Sequence, residues 1–212
     1  MTFGAEDIVS HADGADALIV WPAEAMNAAV IAALPQSVKV ISTLSVGHEH
    51  IDLAAAKQRG IFVTNTPDVL TNACADFTWA LILAVTRRLG EGERELRDGR
   101  WKGWALDHLL GMELRGKQLG LVGMGRIARA VADKAPAFGM SVAYTDQVVA
   151  DVPGATAMSL DRLLATSDVL SLHVNLTPQT THLIDQKALV KMRRSAYLIN
   201  TSRGPVVDEA AL

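Results

Sequence analysis

Short runs of aliphatic and β-branched residues alternate along this chain with longer stretches that are rich in Ala and Leu. The short runs predict buried strands, and the longer stretches predict the helices that connect parallel strands in βαβ units. We therefore expect an α/β protein built on parallel sheets, in two successive blocks. The predicted strands are residues 17–21, 38–44 and 61–64 in the first block, and residues 119–122, 141–145, 169–173 and 197–200 in the second.

Sequence patterns that are typical of helices lie between these strands. A predicted helix begins near Asp52, whose side chain suits an N-cap, and ends at Gly60. A longer helix is predicted from residue 71 or 72 to residue 88. The remaining predicted helices are residues 126–138, 160–166 and 185–191, followed by one that is expected to begin near Asp208.

Charges of alternating sign occupy residues 91–102, between the two blocks. This pattern predicts an exposed connecting segment. Trp101 and Trp104 stand out there, because large aromatic side chains need apolar neighbours and are common at protein interfaces. We expect these two side chains to contact a partner surface.

The composition excludes several classes of protein. The chain has 212 residues, half of them hydrophobic, and a formal charge of −3, so it offers no basic field for nucleic acid. Its single cysteine, Cys74, cannot form a disulfide within the chain. The apolar run at residues 79–85 is far shorter than the roughly 20 residues that cross a membrane. The N-terminus has no secretion or lipidation signal, and we expect a cytoplasmic protein.

A glycine-rich turn follows the first strand of the second block. Gly123, Gly125 and Ala128 fit the pattern G-x-G-x-x-G/A, which alone is weak because glycine is common in this chain. The strand before it and the Ala-rich helix after it are typical of a dinucleotide-binding turn. In such a turn the free amides at the helix start, here those of Arg126 and Ile127, bind the phosphates. The alternative is a turn that only tightens a corner between strand and helix.

Asp146 follows the next predicted strand. An acid about 20 residues after the glycines can accept hydrogen bonds from the adenosine ribose hydroxyls. The same carboxylate would repel the 2′-phosphate of NADP, and residue 147 is Gln rather than an arginine that could bind that phosphate. The sequence therefore predicts NAD rather than NADP.

Arg203 follows the last predicted strand. If the four strands of the second block take the order 3-2-1-4, that strand lies beside the glycine strand and ends at the crevice where a cofactor binds. A planar guanidinium there could bind the carboxylate and keto oxygen of a small 2-oxo acid. The alternative is that Arg203 caps the sheet edge or forms a salt bridge there.

Together these residues resemble the D-isomer-specific 2-hydroxyacid dehydrogenases, in the neighbourhood of glyoxylate and hydroxypyruvate reductases. Residues 41–47 are similar to the family's substrate loop, and residues 192–208 include its arginine motif. The resemblance implies a doubly wound, NAD-binding Rossmann domain at residues 73–212. It also implies a partial, smaller flavodoxin-like substrate domain at residues 1–72, and a homodimer formed through the cofactor domain.

The resemblance also assigns roles to single residues. It implies that Arg203 is the catalytic arginine and that the backbone amides of Val46 and Gly47 hold the substrate carboxylate. Beyond the glycine turn and Asp146, it implies cofactor contacts from Cys74, His173, Thr177 and Thr201.

The implied activity is reversible hydride transfer between nicotinamide and C2 of a small 2-oxo acid, with a histidine as proton donor and a glutamate that raises its pKa. In the family both residues follow the position of Leu212, so these 212 residues are expected to bind NADH but to reduce glyoxylate or hydroxypyruvate poorly. His48 and His50 flank Glu49 in the substrate loop, and we assign neither as a general acid or a metal ligand.

Two alternatives stay open. One is a non-catalytic dinucleotide-binding module, in the manner of the dehydrogenase-like transcriptional corepressors. The other is an enzyme for a different substrate, namely formate, phosphite or phosphoglycerate. A loop that holds its ligand largely through backbone amides does not distinguish these substrates.

Overall fold

The computed structural model describes residues 3–148 and 151–212, and the chain divides into two compact units. The first unit ends at Leu70 and the second begins at Thr71. Each unit has its own parallel sheet and its own buried apolar side chains. The predicted α/β class with parallel sheets is therefore confirmed.

The first unit contains a three-stranded parallel sheet in the order β1-β2-β3. Its elements are α1 (Ala5–His11), β1 (Ala17–Val20), α2 (Ala28–Ala33), β2 (Val40–Thr43), α3 (Leu53–Gln58) and β3 (Phe62–Thr64). Asp52 caps α3 as predicted, because its Oδ1 accepts a hydrogen bond of 2.9 Å from the amide of Ala55. The guanidinium of Arg59 donates to the carbonyls of Ile31 and Ala32 in the last turn of α2, and to those of Leu34 and Pro35 directly after the helix.

The second unit contains a five-stranded parallel sheet in the order β6-β5-β4-β7-β8. Its strands are β4 (Gln118–Val122), β5 (Ser141–Thr145), β6 (Ala155–Ala157), β7 (Val169–Leu172) and β8 (Tyr197–Asn200). Its helices are α4 (Thr71–Thr86), α5 (Leu89–Arg97), α6 (Arg126–Ala132), α7 (Leu160–Thr166) and α8 (Gln186–Lys191). The helix α4 is anchored by Trp79, whose Nε1 donates to the carbonyl of Val131 at 3.0 Å.

The strand order corrects one expectation. The neighbour of β4 is β7, and β8 lies outside β7. The prediction that the last strand lies beside the glycine strand was wrong because β6, which pairs with β5, was not recognised. β6 is a three-residue strand without an apolar run. Arg203 therefore follows the strand that is second from β4, not its direct neighbour.

Three predictions also need correction. Residues 91–102 contain no buried residue, as expected of an exposed connector, but α5 covers most of them, with an Arg97–Glu93 ion pair of 2.8 Å along the helix. The helix predicted over residues 126–138 is interrupted, because α6 ends at Ala132 and Ala135–Phe138 form a 3₁₀ turn with a proline at its start. Residues 209–211 form a turn rather than the predicted helix.

Candidate cofactor site

The glycine turn follows β4, and its first glycine is required by the backbone. Gly123 has φ +89°, a conformation that favours glycine. A Cβ atom there would lie 3.0 Å from the carbonyl carbon and the carbonyl oxygen of His173. On the other side, the amide of Gly123 donates to the carbonyl of Thr145 at 2.8 Å. The turn therefore lies against the ends of both strands that flank β4.

The helix α6 begins directly after this turn. Its N-cap is Gly125, which has no side chain to cap the first amides. A Cβ atom on Gly125 would meet no atom within 4 Å, so the space over the helix start is open. Arg126 and Ile127 are the first residues of the helix, where backbone amides have no acceptor within the helix itself. An open helix start after a glycine turn can bind a phosphate group.

Asp146 follows β5 and is half-buried beside the turn. Its Oδ2 accepts a hydrogen bond of 2.6 Å from the amide of Met124, and its Oδ1 accepts one of 3.0 Å from the amide of Val148. Each carboxylate oxygen has a second lone pair, so the group can still accept from a hydroxyl. The acid is thus fixed next to the glycine turn.

His173 follows β7, on the other side of β4. Its amide donates to the carbonyl of Val122 at 2.8 Å, and its Nε2 lies 2.9 Å from the hydroxyl of Ser171. Burial lowers the pKa of His173 to about 4. The imidazole is therefore neutral at pH 7 and is a poor proton donor there.

A cleft of about 290 Å³ opens where β4, β5 and β7 end. It is lined by Gly123, Gly125, Asp146, Gln147, His173, Val174, Asn175, Thr177 and Thr180. Residues predicted to contact the cofactor thus come together from three separate strand ends. Ligands of open parallel sheets bind at such carboxyl ends, where the strand order reverses direction.

Thr180 was not predicted, although it orders one wall of the cleft. Its buried hydroxyl donates to the carbonyl of Asn175 at 2.6 Å and accepts from the amide of Thr177 at 2.8 Å. Short polar residues in a loop often bind nearby backbone in this way, and the Thr-rich sequence after β7 carried that signal. The hydroxyl fixes the backbone that presents Thr177 to the cleft.

Four predicted cofactor residues are not among the residues that line this cleft, namely Arg126 and Ile127 at the start of α6 and, further away in the chain, Cys74 and Thr201. Cys74 and Thr201 both contact Thr78, which is buried in α4. The hydroxyl of Thr78 donates to the carbonyl of Cys74 at 2.8 Å, and its oxygen lies 3.0 Å from Oγ1 of Thr201. The structure thus links Cys74 to the end of β8, and a role for either residue in cofactor binding stays a prediction.

Arg203 lies in a loop that is ordered by Asn200. The side-chain oxygen of Asn200 accepts from both the amide and the hydroxyl of Ser202, at 3.0 and 2.8 Å. Its Nδ2 donates to the carbonyl of Arg203 at 2.9 Å. The guanidinium of Arg203 is half-buried and donates to the carbonyl of Ser202 at 2.9 Å. This arrangement gives a cation in a fixed loop, and its catalytic role stays a prediction.

The loop after β2 lies in the first unit and contains Val46 and Gly47. Hydrogen bonds fix its successive carbonyls: that of Ser45 accepts from the amide of Thr66 at 3.0 Å, and that of Val46 accepts from Nδ2 of Asn65 at 2.9 Å. A trans peptide directs its N–H opposite to its C=O. The amides of Val46 and Gly47 therefore point away from these donors, an orientation that suits an anion.

His48 and His50 lie in the same loop, within residues 3–148 and 151–212, which the structure describes. In that part of the chain no group of three or more His, Cys, Asp and Glu side chains could hold a metal ion. Nε2 of His50 lies 3.0 Å from Oγ1 of Thr43.

Among the helices of the described residues, none is long and apolar enough to cross a membrane.

Known proteins are similar to this chain in sequence. A family model described as "D-isomer specific 2-hydroxyacid dehydrogenase, NAD binding domain" matches residues 79–212. A glyoxylate reductase from Thermofilum pendens is 47% identical over 213 residues, which cover 98% of this chain and 62% of that protein. This chain thus spans less than two thirds of the length of that relative.

Solved structures have the same fold. The D-lactate dehydrogenase from Aquifex aeolicus, complexed with NAD and lactic acid, has a TM-score of 0.88 and 35% identity, covering 99% of this chain and 62% of its own. An acyclic imino acid reductase (Bsp5), in complex with NADPH and D-Arg, has a TM-score of 0.92 and 29% identity, covering 99% of this chain and 67% of its own. Together with the cleft at the glycine turn, these matches show that the chain belongs to the D-isomer specific 2-hydroxyacid dehydrogenase family.

Proposed function

We propose that this chain acts in the NAD-dependent interconversion of a small 2-oxo acid, of the glyoxylate or hydroxypyruvate type, and its 2-hydroxy acid. The observation that carries the proposal is the cleft in which Gly123, Asp146 and His173 meet at three neighbouring strand ends. Glyoxylate reductase is also the name of the Thermofilum pendens relative. When bound, the reduced nicotinamide supplies the hydride.

NAD is the proposed cofactor, and NADP is disfavoured. The supporting contact is that of Asp146, whose carboxylate is held against the glycine turn by the amide of Met124. A negative charge at this place attracts ribose hydroxyls as donors and repels a 2′-phosphate. The next residue, Gln147, is a neutral lining residue of the same cleft.

The proposed substrate contacts are the amides of Val46 and Gly47 and the guanidinium of Arg203. Each is fixed by its own hydrogen bonds, the amides through their neighbouring carbonyls and the arginine through the loop that Asn200 orders. Backbone amides and a guanidinium both bind carboxylates with short, charge-assisted hydrogen bonds. A 2-oxo acid offers such a carboxylate next to its reactive carbonyl.

The proposed activity of these 212 residues is weak. The histidine that lines the cleft, His173, has a pKa of about 4 and is therefore not a useful acid at pH 7. Loss of a positioned general acid typically slows a reaction by about two to four orders of magnitude. We therefore expect NADH binding to be measurable under conditions where reduction of glyoxylate is slow.

The test is a titration of the chain with NADH, followed by nicotinamide fluorescence, with NADPH as the comparison. We expect saturable binding of NADH, weaker binding of NADPH, and an increase in melting temperature with NADH. Failure of NADH to bind would overturn the proposal. Oxamate, an unreactive analogue of a 2-oxo acid, should bind better in the presence of NADH. If NADH binds and oxamate does not, a non-catalytic dinucleotide-binding module becomes the better interpretation.

We also propose a homodimer formed through the second unit. The support is a run of large apolar side chains between α5 and β4, of which Trp101 is 55% exposed and Trp104 is 85% exposed. Exposed tryptophans at this density favour a protein interface. Sedimentation should show a dimer that Trp104→Ser dissociates, whereas Trp21→Ser, at a 58% exposed position in the first unit, leaves it intact. A monomeric parent chain would contradict the proposed dimer.

A cytoplasmic location of the protein also stays a prediction.

A further inference from the structure

Side chains at the end of β2 form a continuous line of hydrogen bonds behind the loop that contains Val46. Nε2 of His50 lies 3.0 Å from Oγ1 of Thr43, which lies 2.8 Å from Oγ of Ser45. Oγ of Ser45 in turn donates to the carbonyl of Gly47 at 2.6 Å. Thr43 is 1% exposed and Ser45 is 8% exposed, so these hydroxyls depend on partners within the protein.

The donors and acceptors in this line of hydrogen bonds can be assigned in only one way. A carbonyl cannot donate, so the single hydroxyl proton of Ser45 is used toward Gly47. The bond between the two hydroxyls must then be donated by Thr43, whose own single proton is used in it. The bond between Thr43 and His50 must therefore be donated by Nε2 of the imidazole. The structure thus requires that His50 carry a proton on Nε2.

The end of the line determines the orientation of one more amide. Because peptide groups are planar and trans, a carbonyl of Gly47 that is turned toward Ser45 directs the N–H of His48 the opposite way. The preceding carbonyls are held in the same manner by Asn65 and by the amide of Thr66. The amide of His48 therefore follows those of Val46 and Gly47 as a third oriented donor.

We propose that His50, Thr43 and Ser45 are positioning residues that present the amide of His48 as a third donor for the substrate carboxylate. This inference rests on the proposed function of the loop. A carboxylate has about four lone-pair sites and can accept from several amides at once. The imidazole of His50 contributes by donating to Thr43, which in turn donates to Ser45 and holds its hydroxyl where it donates to Gly47, without touching the substrate.

The first test is spectroscopic and needs no activity. Long-range ¹H–¹⁵N spectra of the unmodified chain at neutral pH report which imidazole nitrogen of His50 carries the proton. We expect the proton on Nε2. A neutral imidazole with the proton on Nδ1 alone would overturn the proposal. Thr43 would then have to donate to His50, and no proton would remain for the contact between the hydroxyls of Thr43 and Ser45.

The second test compares Thr43→Val, which has nearly the same shape but no hydroxyl, with Thr43→Ser, which keeps the hydroxyl. With NADH present, oxamate should shift the amide resonances of Val46, Gly47 and His48 in the unmodified chain. In Thr43→Val the hydroxyl of Ser45 loses the donor that holds it in place beside Gly47. The shift of the His48 amide should therefore decrease, and the dissociation constant of oxamate should increase by up to about tenfold, the value for loss of one hydrogen bond to a charged group. Thr43→Ser should remain within about twofold of the parent.

The outcomes separate the two proposals. If the amide of His48 does not respond while those of Val46 and Gly47 do, the third donor is excluded and the proposed function stands. If the parent binds NADH but no amide of the loop responds to oxamate, the carboxylate site itself is overturned. Unchanged amide resonances elsewhere in the first unit of both Thr43 variants show that the fold of this unit is intact, and an unchanged affinity for NADH shows the same for the second unit. If Thr43→Val does not fold, the response of the His48 amide resonance to oxamate, in the parent and in Thr43→Ser, still shows whether this amide binds the carboxylate.

Discussion

The backbone amide of Met124, inside the glycine turn, donates a hydrogen bond of 2.6 Å to Oδ2 of Asp146. The two residues follow neighbouring strands, β4 and β5, whose ends are thereby joined across the cleft. The acid that faces the adenosine ribose in the proposed complex also holds the turn that faces the phosphates. Charge and backbone geometry are therefore coupled at this position.

Asp146→Asn should weaken NADH binding and reduce the preference for NADH over NADPH. The amide keeps an acceptor oxygen for Met124, but it loses the charge and its NH2 group cannot accept from the amide of Val148; hydrogen bonds to charged groups are worth about 1.5–3 kcal/mol. We expect the dissociation constant of NADH to increase about tenfold. The dissociation constant of NADPH divided by that of NADH should fall by a similar factor. Fluorescence titration measures both. Asp151→Asn, an exposed carboxylate in the same unit, is the control, and equal effects of the two would contradict the assignment.

Gly123→Ala should destabilise the second unit, whereas Gly125→Ala should not. Gly123 has φ +89° and a Cβ there would lie 3.0 Å from the backbone of His173, while Gly125 has φ −74° and open space. Strain of this kind costs about 1–3 kcal/mol, which corresponds to a decrease in melting temperature of roughly 5 °C in a chain of this size. Thermal unfolding without ligand gives the comparison. Equal melting temperatures would show that the turn relaxes.

The ion pair between Asp168 and Arg193 should contribute more to stability than the pair between Asp161 and Lys191. Asp168 is 8% exposed and accepts both from Nη1 of Arg193 at 2.9 Å and from the amide of Gln118 at 2.9 Å. Asp168→Ala leaves these donors without their acceptor, and we expect a loss of about 2–4 kcal/mol in the free energy of unfolding.

Asp161→Ala is the matched control, since Asp161 and Lys191 form a short pair of 2.6 Å but their side chains are 69% and 46% exposed. Exposed pairs contribute about 0–1 kcal/mol. Urea unfolding of both variants measures the difference. A larger loss for Asp161→Ala would contradict the weight that we give to burial.

His173 should make stability fall as the pH is lowered from about 6.5 to about 4. Its pKa is lowered to about 4 by burial, so below pH 6.5 the unfolded chain binds a proton that the folded chain does not. Above pH 6.5 both forms are neutral and the effect vanishes. Over the whole window the loss is about 3 kcal/mol.

His173→Gln removes this titration and should unfold with a flatter dependence on pH in that range. The measurement is the free energy of unfolding of both proteins between pH 4 and 8, compared as a difference so that other titrating groups cancel. Parallel curves would mean that His173 titrates normally in the folded chain.

The glycine turn could be predicted from the sequence because its determinants are local. The apolar run before Gly123, the small residues after it and Asp146 at the end of the next strand lie within one βαβ unit, whose connection follows from the chain itself. The cap of α3 by Asp52 is of the same kind. Such features depend on residues a few positions apart, so a single sequence contains their signal.

The α/β class, the glycine turn and its acid could thus be predicted from the sequence alone, whereas the neighbours of those elements depend on contacts between residues that are far apart in the chain. β6 pairs with the outer edge of β5, so the next strand, β7, pairs with β4 on the other side, and β8 and Arg203 lie one place further out. The depressed pKa of His173 and the hydrogen-bond line from His50 to Gly47 likewise arise from burial and from contacts between strand ends and loops. Strand pairing, side-chain burial and the direction of hydrogen bonds depend on residues that are distant in the sequence. A local sequence pattern therefore does not reveal them, and the folded structure does.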